Sequence, residues 1–255
     1  MKGLVYREFY LMRKNFALTL AVFLGFLFMI SLVFISTYAG NLAKDEENNQ
    51  MIASFYPQAY LYTGAMALLG FSAAQNGVVY DDYKSRWRLY TYTLPVDEKK
   101  MASSMLVSRI ILLVVGFVFA VVGEVVLGLA AKKGVSLEHI KNLAVMAAIV
   151  SVTFITLPSA LRHKEVSKTI TTYIAYGIIP FAALVFGIVK FIIYCIKEAE
   201  VRYPNLKGEE AIRKVSEPYQ EKLVEIAAIA APFIIVGSLV LCYFRTVKEL
   251  ERRRY

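Results

Sequence analysis

The chain's chemistry, if it has any, begins with ionisable groups set inside apolar runs. Glu124 and Lys190 each interrupt a long apolar stretch. An unpaired charge at the centre of a membrane helix costs about 2.5–3.5 kcal/mol on insertion scales, so such residues pair, snorkel or serve a function. Counted from Met105 and Ile170, both fall roughly 30 Å along helices running in the same direction. An ion pair or shared polar site between them is expected, with Glu225 able to join it. Separate snorkelling to the headgroups is the alternative.

Two further sets are polar without being charged. Ser72, Gln75 and Asn76 lie near Gly64, Gly70 and Gly77, and Thr172 and Tyr176 lie near Tyr173, Gly177 and Pro180. Small residues let helices approach closely and polar ones hydrogen-bond across them. The same residues would also suit the lining of a passage near the inner leaflet.

Other chemistry is missing. There is no G-x-x-x-x-G-K-[ST] loop, no G-x-G-x-x-G, no H-E-x-x-H and no C-x-x-C. His139 and His163 fall in connections without ligand-like spacing, which argues against a metal site and against a Ser–His protease inside the membrane. Cys195 and Cys242 are expected near opposite membrane faces, too far apart to bridge. No catalytic residue and no bound cofactor is expected. Energy for any transport would come from a partner.

The elements that must position these residues are apolar helices. Of 255 residues, 58% are hydrophobic, with mean hydropathy +0.53, and long apolar runs alternate with short charged stretches. That block pattern reads as an all-α, polytopic membrane protein. Six spans are expected, at roughly 16–38, 58–80, 105–131, 143–161, 170–196 and 224–244, each near the twenty residues needed to cross a hydrocarbon core. With the N-terminus inside, the inner segments hold 17 Lys and Arg against 8 acids, and the outer segments hold 10 of each. The net charge of +9 then sits on one side, which predicts N-in and C-in. The basic residues lie in connections between apolar runs, a placement that fits lipid headgroups and not nucleic acid.

Residues 1–15 read as an amphipathic elbow helix on the inner surface, with Leu4, Val5, Phe9, Leu11 and Met12 on one arc. Glu8 falls inside that arc. It either faces protein and binds a basic residue there, or it snorkels. The outer connection 197–223 is expected to carry a short amphipathic helix from Leu206 to Leu223.

Segment 81–101 follows the second span on the inner side. It begins with Asp81, Asp82 and Tyr83, continues through Arg86, Trp87, Arg88 and Tyr90, and reaches Leu94-Pro95 before Lys99-Lys100. A helix from about Asp82 to Thr91 would gather Tyr83, Trp87 and Tyr90, and Pro95 would stop it. An aromatic cluster on an inner loop fits headgroup anchoring and insertion into a partner's groove equally well.

In this order of residues the chain resembles permeases of the type-two ATP-binding-cassette exporter superfamily. It is similar in particular to small bacterial six-span permeases that export antimicrobial peptides and phenol-soluble modulins. Arg7-Glu8-Phe9-Tyr10 and Leu157-Pro158 with Arg162 also resemble the family, although His163-Lys164-Glu165 stand where a glycine is often found. The resemblance implies two copies of this chain in a bacterial plasma membrane, working with a dimer of cytoplasmic ATPase subunits that hold ATP and Mg. It makes Asp81, Asp82, Tyr83, Arg86, Trp87, Arg88, Tyr90, Leu94 and Pro95 the ATPase-coupling residues. An amphipathic or antimicrobial peptide would be the cargo, and Ser72, Gln75, Asn76, Thr172 and Tyr176 would border its pathway. The rival expectations are a secondary carrier driven by an ion gradient and a non-transporting assembly or immunity protein.

Overall fold

A computed structural model describes residues 2–39, 46–84, 97–131, 134, 136–156, 186–187, 189–204 and 208–254, with side chains at 37–39, 46–54, 75–84, 156, 209, 220–221 and 253–254 not included. Among the described residues there is no strand. The elements are α1 (Lys2–Ala39), α2 (Glu46–Lys84), α3 (Glu98–Ala130), α4 (Leu137–Val152) followed by a 3₁₀ turn (Thr153–Thr156), α5 (189–202) and α6 (Gly208–Arg254). Among the described residues, four stretches are long and apolar enough to cross a membrane: Lys2–Ser36, Glu98–Ala130, Leu137–Ile155 and Glu210–Arg252. The protein is therefore all-helical and fitted to a membrane.

Starts are visible in the sequence. Asp97 caps α3 by accepting from the Lys99 N–H at 3.3 Å, with Glu98 in the first turn. Ser136 caps α4 in the same way from the Glu138 N–H, again with an acid in the first turn. Both place an acceptor and a negative charge where unpaired N–H groups cluster.

Two helices run further than the hydropathy pattern implies. The elbow segment and the first expected span form one helix, α1, because no proline or internal glycine lies between Leu4 and Leu24 to break it. The outer segment from Gly208 and the expected span 224–244 are likewise one helix, α6, of 47 residues. At 1.5 Å per residue it is about 70 Å long, more than twice the hydrocarbon thickness. The second expected span lies inside α2. The fourth begins in α4 and ends beyond the described residues, and most of the fifth lies outside them.

The chain divides into two compact units. The first comprises Met1–Arg162 with Ala231–Tyr255. Its core draws Phe23, Leu27, Ile30 and Phe34 from α1, Tyr56, Tyr60, Ala67 and Leu68 from α2, Leu113, Ala120 and Leu127 from α3, Leu143, Ala147 and Val150 from α4, and Cys242 from α6. The α1 set repeats every three or four residues, as one helix face requires. Aromatic rings fill the α1–α2–α3 interior: Phe71 stacks on Phe119 at 4.8 Å, and Phe23 meets Phe119 edge-on at 5.8 Å.

Glycines set how close the helices come. A Cβ on Gly116 would lie 3.2 Å from the Ala67 carbonyl oxygen and 3.3 Å from the Leu68 Cα. One on Gly123 would lie 2.8 Å from the Thr63 methyl, and one on Gly64 would collide with Leu143. Backbone-to-backbone packing through small residues is how apolar helices associate where lipid is the solvent.

The second unit, His163–Ala230, contains α5 and the beginning of α6. Cys195 and Ala199 pack on Ala211 and Val215, with Phe191 and Ile212 beside them. Tyr194 and Tyr219 meet edge-on at 6.2 Å.

Candidate functional site

The site forms where α3 ends and α4 begins. Gly116, Ala120, Gly123, Glu124 and Leu127 make a buried stripe along α3. The stripe is apolar or small except at Glu124, which is 1% exposed. Six residues beyond it the helix ends, and a short connection leads to Ser136. The Ser136 cap then starts α4, and its carbonyl accepts from the His139 N–H at 3.1 Å. The first turn of α4 is thereby fixed beside the last turns of α3, and the His139 Nδ1 meets the Glu124 Oε1.

Helix α2 supplies the walls. Tyr56, Tyr60 and Thr63 follow one another on one face at spacings of four and three. The Tyr60 ring stacks on the His139 ring with centroids 3.9 Å apart and planes 17° apart. Its hydroxyl donates to the His139 carbonyl oxygen at 2.9 Å. Tyr56 lies 6.0 Å from the imidazole on another side. Thr63 donates to the Ala59 carbonyl at 2.8 Å, which turns its methyl toward Gly123. Gly123 is what lets α2 approach closely enough for Tyr60 to reach α4.

The result is a carboxylate–imidazole pair with unequal exposure. The Glu124 side chain is fully buried, whereas the His139 side chain keeps 17% of its surface. Glu124 Oε2 is buried and has no hydrogen-bond partner among the described residues. Such a pair can hold, share and hand on a proton. Among the described residues no group of three or more His, Cys, Asp or Glu could hold a metal ion.

Comparison with protein families, with curated proteins and with solved structures finds no match.

The sequence-expected residues are distributed as follows. Glu124 pairs with His139. Lys190 belongs to the second unit, where its Nζ sits 5.5 Å from the Phe186 ring centre. Glu8 is 5% exposed, and Arg7 Nη1 is 3.9 Å from its Oε1. One turn on, Met12 packs with Leu112 of α3. Ser72 is partly buried, and its Oγ has no partner among the described residues. Asp81, Asp82 and Tyr83 continue the backbone of α2, and Gln75 and Asn76 lie on the same helix. Arg86, Trp87, Arg88, Tyr90, Leu94, Pro95, Thr172 and Tyr176 lie outside the described residues.

Sequence reasoning also passed over a second polar group. Arg109 is 5% exposed, and its guanidinium lies 5.2 Å from the Phe154 ring centre. Nearby on the first unit, Ser238 of α6 donates to Ser151 of α4 at 3.0 Å. The signal for Arg109 was its place inside an apolar run.

Proposed function

We propose that this chain is the membrane-spanning permease subunit of an ATP-driven exporter, energised by a separate cytoplasmic ATP-binding-cassette ATPase. The observation that supports it is the continuity of α2. One helix contains the second expected span, 58–80, and runs on through Asp81, Asp82 and Tyr83 to Lys84. Those acids open the segment that contains Trp87 and Leu94-Pro95. A partner that pushes on this segment therefore pushes on the rod that packs against α3 at Gly116 and Gly123 and against α4 at Gly64. Six spans, both ends inside, two copies per complex and an amphipathic peptide as cargo complete the reading. ATP binding drives transport to the extent that it favours one arrangement of the permease over another.

The experiment is reconstitution of the chain with its ATPase in lipid vesicles. Trp87→Ala is expected to leave membrane insertion intact while uncoupling ATP hydrolysis from transport. Unchanged stimulation and unchanged transport in that variant would sink the proposal.

The Glu124–His139 pair favours a second reading, a carrier driven by an ion gradient, because it can bind a proton within the membrane. Transport that needs no ATPase and collapses with the proton gradient would select it.

A further inference from the structure

We propose that Glu124 and His139 form a proton-binding site, loaded through the imidazole at the α3–α4 end of the bundle, that holds its proton between Oε1 and Nδ1. Three observations carry this. The two groups are in direct contact. The histidine is partly exposed and the glutamate is not, so the imidazole is the side of the pair open to its surroundings. The buried Oε2 has no partner among the described residues. A carboxylate oxygen left bare in an apolar site is costly, and a bare carbonyl oxygen is much less so. Moving the shared proton from Nδ1 to Oε1 turns the carboxylate into an acid and Oε2 into its carbonyl. The same transfer turns an imidazolium into a neutral imidazole. No proton leaves and the pair stays neutral overall. A second proton taken from water makes the pair a cation, with the acid and the imidazolium both protonated.

The surroundings fit a proton better than a larger ligand. Tyr60 covers one face of the imidazole and locks its backbone carbonyl, and Tyr56 stands on another side. From α2 the titratable neighbours are these two tyrosines; on α4, Glu138 and Lys141 flank His139 in sequence; α3 adds Glu124 itself. On α1 no ionisable residue lies between Lys14 and Tyr38, and the Tyr38 side chain is outside the described ones. Asn142 reaches the Tyr60 hydroxyl, and Lys132 and Lys133 of the connection lie outside the described residues. This proposal does not depend on the exporter reading, because it concerns the chain alone.

The chain has two histidines, so His163→Gln leaves one imidazole to observe. In that background, purified in lipid nanodiscs without any ATPase, nitrogen NMR follows His139 from about pH 5 to about pH 9. Adding Glu124→Gln is expected to move the midpoint of the imidazole's change by about tenfold or more in proton concentration, because the carboxyl is half of the site and the two groups take up protons as a pair. Glu124→Asp, which withdraws the carboxyl by one methylene, is expected to move it less and in the same direction, and it serves if the Gln variant does not fold. A midpoint within about twofold of the parent in either folded variant overturns the site.

Discussion

Truncating His139 leaves Glu124 buried with neither carboxylate oxygen paired among the described residues. Breaking a buried pair by removing one partner costs about 3–5 kcal/mol, whereas removing both costs less. A double-mutant cycle with Glu124→Gln and His139→Gln is therefore expected to return a coupling energy of about 1–3 kcal/mol in unfolding experiments in detergent. Tyr60→Phe removes the bond to the His139 carbonyl and the contact with Asn142, and is expected to cost about 1–2 kcal/mol. The sequence made Glu124 conspicuous, because a charge in an apolar run stands out. It did not reveal the partner. His139 looks like a loop residue until the Ser136 cap is recognised as the start of a helix folded back against α3. Hydropathy along one strand of sequence carries no information about which helices touch, so it could not pair His139 with Glu124.

At the scale of the elements, the α2–α3 seam depends on absent side chains. At Gly116 an added methyl meets the backbone of α2, which cannot rotate away as a side chain can. Gly25 on α1 has nothing within 4 Å of such a methyl. Gly25→Ala is thus expected to be neutral or stabilising by up to about 1 kcal/mol through helix propensity. Gly116→Ala is expected to destabilise by about 1–3 kcal/mol as the helices are forced apart. Thermal unfolding in the same detergent compares the two, and a Gly116→Ala protein as stable as the parent would show that the seam yields freely. The apolar cores of the helices were legible from composition, because a run long enough to cross a bilayer has few other uses. Helix ends were less so. Hydropathy changes at the membrane surface, but helix propensity does not have to. Arg13, Lys14 and Asn15 continue α1, and residues 208–223 continue into α6, despite their charge. The packing role of Gly64 and Gly70 was open to sequence reasoning, while the matching surfaces at Ala67, Leu143 and Thr19 needed the fold.

For the molecule as a whole, the charge asymmetry predicts which connections face the cytoplasm. With both buried cysteines changed to alanine, single cysteines report side. A membrane-impermeant maleimide added to intact cells is expected to label Gly134→Cys, in the open connection between α3 and α4. It is expected to spare Lys248→Cys, near the far end of α6, until the membrane is opened. The reverse pattern would invert the topology and move the Glu124–His139 pair to the cytoplasmic side.

The first unit is discontinuous, and this has a consequence for manufacture. Its early helices emerge from the ribosome long before Ala231–Tyr255, which belong to the same unit. Until those residues arrive, the start of α3 lacks Val247 and Leu250, which cover Met101 and Ala102. Ser151 also waits for Ser238, and the central core waits for Cys242. Nascent chains stalled before Ala231 therefore carry an open apolar seam on α3 and α4. That seam closes only once α6 is complete, so the last helix to be made is the one that finishes the first unit's core.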